Sequence, residues 1–350
     1  MVNYDSIAPG PNLSRIATSL GVSVATVSNA LSGKGRVSGP LVERIREHAA
    51  ELGYVPSQAG RALRTGRSGV LGLVLPDIAN PLFPKIAQAI EFAASAAGYG
   101  VLIADSRGDV AAQTEAINRL VERGVDGMVI IPRRATRISA AACPVAVIDT
   151  PSTPGNTVAA DHWQGGHEIA GHLAGLGHRR ILIIGNNQES NVQNDRAGGI
   201  RSGMRPGMHS ETLWIDRLEQ ENGSDCPLGL AEKVRQGFTA FAALSDLQAL
   251  RALTELQQAG INIPADVSVT GFDDLIWSPV VTPALTTVRM DMDKIAGIAV
   301  SALVDSIRTS SIRKGRLVTA QIERVAMQLI VRQSSGPAKP APKTSEMENI

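Results

Sequence analysis

The chain has 350 residues, 43% of them hydrophobic, which is enough for two or three compact units with sizeable cores, and its formal charge is only +1. The charge is unevenly placed: residues 1–68 hold eight Lys and Arg against four Asp and Glu, a surplus of +4 that leaves the other 282 residues at −3. That asymmetry suits a polyanion-binding end on a near-neutral body, while two isolated cysteines, Cys143 and Cys226, exclude a disulfide framework. Nowhere do 18 apolar residues run together, and the first residues lack a basic segment followed by an apolar run, so no membrane association and a cytoplasmic location are expected.

In chain order, Leu13, Ile16, Ala17 and Leu20 fall on one stripe of a helix, with Asn12 as its N-cap and Gly21 as its stop. Ser23 caps a second helix that turns Val27, Ala30 and Leu31 inward and Val24, Ala25, Ser28 and Asn29 outward. A third helix after Pro40 aligns Val42, Ile45, Ala49 and Leu52 and closes at Gly53. Two short helices joined by a Gly-containing turn of about four residues form a helix-turn-helix, whose second helix enters the DNA major groove by its N-terminal end. On that face Val24 and Ala25 can touch thymine methyls and Asn29 can pair an adenine edge, whereas Ser23, Thr26 and Ser28 suit phosphates.

Residues 54–64, YVPSQAGRALR, follow as a hinge. Here the chain resembles the LacI family of transcription repressors, whose headpiece runs into the pattern Y-x-P-(N/S)-x-x-A-R-x-L. Tyr54, Pro56, Ser57, Arg61 and Leu63 match it, and Gly60 stands where the family usually has Ala, at a cost to a helix of roughly 1 kcal/mol. The resemblance implies that Leu63 wedges into the minor groove with Arg61 near the phosphates, and that residues 57–64, too short for a stable isolated helix, order on the operator.

From residue 69 short apolar runs alternate with helical patterns: GVLGLVLPD, YGVLIADS, DGMVIIP and PVAVIDT, then HRRILIIGN, ETLWID, FTAFAAL and DVSVTGFD. Such alternation predicts right-handed βαβ units and parallel sheets covered on both faces. Two successive series predict two similar lobes. The motifs PDIANPLF, GHRRILIIG, RAGGIRSGM, ALSDLQALRAL and IPADVSVTGFDD carry the same family resemblance, which spans about residues 12–335. The implied fold is an all-α helix-turn-helix headpiece (1–56), a hinge (57–68) and an α/β sensor (69–335) like a periplasmic sugar-binding protein. Lobe 1 is expected at about 69–162 and 286–318, lobe 2 at about 163–285 and 319–335, and the composition of 336–350 reads as a disordered tail.

In open α/β sheets ligands bind at the carboxyl ends of the strands; Asn80, Phe83, Asp149, Ser245 and Asp273 follow strands and Arg196 opens a helix, and their coincidence with family positions is what the resemblance adds to place all six in an effector cleft. Carboxylates and a guanidinium can each engage two neighbouring hydroxyls, and a Phe can cover the apolar face of a sugar ring. The family usually has Asn where this chain has Ser245, which alters the hydroxyl pattern being read. Arg133, Arg134 and Arg137 favour either an acidic ligand or, more simply, a solvated loop. His162, His167 and His172 recur every five residues and so spread round a helix instead of sharing a metal-binding face. No dinucleotide fingerprint, P-loop or G-x-S-x-G elbow occurs, so neither a cofactor, a metal nor an enzyme activity is expected. The expected function is a homodimeric repressor on a near-palindromic double-stranded operator, controlled by a sugar-like effector; the alternative is a sugar-binding protein without a DNA role.

Overall fold

The computed structural model describes residues 12–33, 35–54, 66–136, 138, 141–151, 153, 155–310 and 323–339. They divide into two compact units, Met1–Ser68 and Gly69–Ile350.

The first unit packs α1 (Leu13–Leu20), α2 (Val24–Ser32) and α3 (Gly39–Glu51) around Ile16, Val27 and Ile45, all fully buried, with Ala17, Ala30 and Ala49 filling the gaps between the helices. The caps are those the sequence suggests: Asn12 accepts from the Arg15 N–H at 2.9 Å and Ser23 from the Thr26 N–H at 3.1 Å. Gly21, at φ 65°, turns the chain between α1 and α2 in the left-handed region, where a side chain would be strained. His48 ties α3 to α1 through Ser19 Oγ at 2.6 Å.

In the second unit the chain runs β1 (Val70–Leu75), α4 (Leu82–Ala96), β2 (Gly100–Asp105), α5 (Val110–Glu122), β3 (Gly127–Ile130), β4 (Val145–Val147) and β5 (Val158–Ala160). A parallel sheet in the order β2-β1-β3-β4 results, with β5 beside the end of β4 through an Ile148–Val158 bridge. The second lobe follows: α6 (His162–Gly175), β6 (Arg180–Gly185), α7 (Asn191–Gly203), β7 (His209–Trp214), α8 (Ile215–Asn222), α9 (Leu230–Arg235), β8 (Ala240–Ala243), α10 (Asp246–Gln258) and β9 (Ser268–Thr270). Its sheet is parallel in the order β7-β6-β8-β9. Strands covered on both faces read as unbroken apolar runs, which is why Ile181–Ile184 and Ala240–Ala243 are buried throughout. No described helix is long and apolar enough to cross a membrane.

The last elements are β10 (Thr287–Arg289), α11 (Met292–Ser310), β11 (Glu323–Val325) and β12 (Gln328–Ile330). Three boundaries differ from those expected. Thr286 bridges Thr270 and β10 pairs with β12, so residues 286–289 join the second lobe and the first lobe resumes only with α11, which packs on α4 and β3. Residues 323–325, expected in lobe 2, pair in parallel with β5, because Val325 opposite Ala160 buries itself in the core there. Residues 336–339, expected in a disordered tail, are bonded to the second lobe: Gly336 N–H donates to Ser268 Oγ at 3.0 Å and Ala338 N–H to the Leu176 carbonyl at 2.8 Å. Composition misses this because the bonds are made by backbone.

The crossing of α6 and α7 sets the site described below. A Cβ on Gly166 would lie 2.2 Å from the Arg196 carbonyl, and one on Gly199 2.1 Å from the Trp163 carbonyl, so the two helices touch backbone to backbone. This close approach explains the glycines of the RAGGIRSGM stretch.

Candidate functional site

The outer side of α2 is laid out as the helix-turn-helix reading expects. Val24, Ala25 and Asn29 are exposed, while Val27 and Ala30 are buried on the opposite side. Ser23 and Thr26 are already engaged with each other, their hydroxyls 2.8 Å apart, so the start of α2 is a fixed, capped end. Ser28 is half-buried, and the Asn29 carboxamide lies against Gly35, in the loop leading to α3. Arg61 and Leu63, with the rest of the hinge expected at 57–64, lie outside the described residues.

Asn80 and Phe83 from the stretch after β1, with Asp149, Arg196, Ser245 and Asp273 from four others, all line one cavity of about 640 Å³ at the carboxyl ends of both sheets. Asn80 follows β1; its Oδ1 accepts from the Leu82 N–H at 3.1 Å. Phe83, half-buried at the start of α4, forms an apolar wall. Asp149 stands just after β4 and accepts from Thr153 Oγ1 at 2.5 Å, and burial holds its carboxyl above the usual range. Ser245 is the N-cap of α10, bonded to Gln248, which also lines the cavity.

Arg196 and Asp273 form the inner end. Arg196, carried by α7 and only 3% exposed, donates from Nη2 to Asp273 Oδ1 at 2.8 Å and from Nη1 to the Leu244 carbonyl at 2.6 Å. Its Nε donates to His162 Nδ1 at 3.3 Å, and the guanidinium lies 4.6 Å over the Phe272 ring. Burial, and then the Arg196 charge, push His162 well below its ordinary pKa, so its imidazole is neutral and can accept that bond. Three of the five guanidinium N–H groups are thus held by protein, leaving two for a ligand. Asp273 has φ 101°, a backbone strain of roughly 1–3 kcal/mol for a residue with a side chain, which its place at this site accounts for.

Several lining residues were not among those the sequence placed in the cleft: Asn186, Gln193, Asp216, Gln248, and His162, which it read only against a metal site. They sit in loops or first helical turns, where periodicity says nothing; position just after a strand end was the one available clue. Arg133 and Arg134 also line the cavity, whereas Arg137 lies outside the described residues. His167 faces Ser202 and His172 faces Ser335, which spreads the three histidines as their spacing predicts. Trp214 packs on Gly185 and Trp163 on Gly198, both as structural contacts, and Trp277 is partly exposed.

Residues 12–57 match the family described as bacterial regulatory proteins, lacI family, and residues 170–335 match a periplasmic binding protein-like domain. The chain is similar to the solved lac repressor dimer bound to operator and the anti-inducer ONPF, with a TM-score of 0.76 and 24% identity covering 94% of this chain and 100% of that one. It is also similar to a transcriptional regulator CelR–cellobiose complex, with a TM-score of 0.64 and 24% identity over 93% and 100% of the two chains. These two likenesses establish the fold. Over 314 residues it is 30% identical to the HTH-type transcriptional regulator MalR of Streptomyces coelicolor, covering 84% of this chain and 90% of MalR. With the headpiece matched by the family model and 30% identity extending over 84% of the chain, the chain belongs to the lacI family of bacterial regulatory proteins, and it is a DNA-binding transcriptional regulator.

Proposed function

We propose that the protein is a cytoplasmic repressor that binds a near-palindromic operator as a homodimer and changes its operator affinity when a sugar-like effector occupies the cleft between the lobes. One observation carries the reading: six polar or aromatic side chains from five separate stretches of the chain meet around one cavity, with a buried Arg196–Asp273 pair at its inner end. Carboxylate oxygens accept from hydroxyls, the two remaining Arg196 donors give to them, and Phe83 offers a flat apolar surface, which together suit a polyol ring. The CelR relative was solved with cellobiose and the lac repressor as a dimer on its operator, and both facts support the same reading here. In the headpiece, Val24, Ala25 and Asn29 read base edges while Ser23, Thr26 and Ser28 set the position of α2 against phosphates; Leu63 wedges into the minor groove with Arg61 near the phosphates.

The test is a selection from randomised duplex DNA by the full chain and by a chain lacking residues 1–68, followed by a thermal-shift screen of sugars. The proposal expects a two-fold symmetric site for the full chain alone and a raised melting temperature with at least one neutral sugar. Operator retention by the truncated chain contradicts the assignment of DNA binding to the headpiece.

A further inference from the structure

We infer that the cleft has a second, outer subsite built by Arg133 and Asp216, and that it selects a neutral two-ring saccharide over a single sugar or a sugar phosphate. The inference rests on the sugar-sensor reading above and deepens it.

Strand order gives the length. Asp273 follows β9 and Asp216 follows β7, the two edges of the sheet β7-β6-β8-β9, yet both line the same cavity. Three strand spacings of about 4.8 Å separate the two strand ends by on the order of 14 Å, a span that two sugar rings fill more fully than one. A ligand that engages both ends of this span is therefore read as two rings long.

Both walls of the outer end are positioned by amides. On the first lobe, the fully buried Gln113 accepts the Arg133 N–H at 2.8 Å and donates to the Ile131 carbonyl at 3.0 Å, fixing the loop after β3. On the second, Gln193 accepts the Asn186 N–H at 2.7 Å, and the Asn186 carboxamide donates to Asp216 Oδ1 at 2.9 Å. Burial and neighbouring Glu219 raise the Asp216 carboxyl while Arg133 lowers it, so the two groups feel each other across the cleft. Among the described residues they make no ion pair with each other, and the Arg133 guanidinium has no bonded partner. Groups that face each other without touching can be bridged by a hydroxyl, which accepts from Arg133 and donates to Asp216 at once.

Charge decides against an anionic ligand. The cavity is lined by five carboxylates and three guanidinium groups, and one of those three, Arg196, is already paired with Asp273. A phosphate or carboxylate brought to Arg133 would face Asp216 directly, a like-charge contact that a neutral hydroxyl avoids.

The experiment is calorimetry on the full chain with α- and β-linked hexose disaccharides, their component monosaccharides and the matching hexose 6-phosphates. The expected result is a disaccharide bound at least about tenfold more tightly than its component sugars, the ratio falling by about tenfold in Asp216→Asn and in Arg133→Ala, as loss of one charge-assisted bond implies. A monosaccharide or hexose phosphate bound as tightly as any disaccharide overturns the outer subsite, and so does a ratio preserved in both variants. If no saccharide of either length binds the parent, the sensor reading itself fails, a result distinct from the other two.

Discussion

Asp246 opens α10 with a carboxylate that is fully buried and, among the described residues, has no cationic partner. It accepts from the Leu275 N–H at 2.8 Å, Ser278 Oγ at 2.5 Å and Thr287 Oγ1 at 2.6 Å. Desolvation, and then the Asp273 charge, outweigh these bonds and raise its pKa to about 7. Because the folded state holds this proton more tightly than the unfolded chain, the stabilisation is complete below about pH 4 and is lost as pH rises towards 7. A shift of that size corresponds to roughly 4 kcal/mol. Asp246→Asn keeps the shape and can satisfy the same three neighbours, so it is expected to gain stability relative to the parent at pH 8, on the order of 2 kcal/mol, and little at pH 4.5. Urea unfolding at the two pH values checks this; an equal difference at both contradicts it. Comparing variant with parent removes the opposite contributions of His162 and His178, whose depressed pKa values make stability fall as pH drops through the range below 6.5. Nothing local in the sequence marks Asp246, because Ser278 and Thr287, 32 and 41 residues away, supply its bonds only after folding.

Helices α6 and α7 show how the packing of one element fixes a cleft-lining side chain on another. Gly166→Ala would place a methyl 2.2 Å from the Arg196 carbonyl, so α7 must shift and carry the guanidinium away from His162 and Asp273. Overpacking of this kind costs about 1–3 kcal/mol. The expected outcome is weaker effector binding by calorimetry together with a lower melting temperature, whereas Gly171→Ala on α6, where an added Cβ meets nothing within 4 Å, should leave both near parent values. In the headpiece, Ser23→Ala removes the cap of α2 and should cost about 1 kcal/mol of headpiece stability. Exchanging Val24 and Ala25 should instead alter the preferred operator in a randomised-site selection with folding unchanged, because both side chains are exposed. The strands and most helices were legible from the sequence because core strands are unbroken apolar runs and helices repeat every 3.6 residues. Helix α8 was not: ETLWID reads as strand throughout, and Ile215, buried like a strand residue, in fact begins the helix. That the six residues would line one cavity was legible because strand ends in parallel sheets are where loops converge, but Gln193, in the first turn of α7, and Asn186, in a loop, support Asp216 in ways that exist only after folding.

At the scale of the molecule, the account joins a DNA-reading unit to a ligand-binding unit, and such a coupling is a free energy that must be reciprocal. Leu63→Ala should therefore lose most operator affinity and DNA bending while ligand affinity in the absence of DNA stays near the parent value; a variant that binds and bends operator like the parent contradicts the minor-groove wedge. Asymmetric charge along the chain, +4 in residues 1–68 and −3 beyond, further predicts that operator affinity falls steeply with salt while effector affinity does not. The most direct test of the whole is one thermodynamic cycle on the full chain: operator affinity by fluorescence anisotropy as the effector found by the sugar screen is titrated, and effector affinity with and without saturating operator. The account predicts that saturating effector changes operator affinity by at least about fivefold, that operator changes effector affinity by the same factor, and that Asp273→Ala abolishes the response. An operator affinity that stays constant from zero to saturating effector would contradict it.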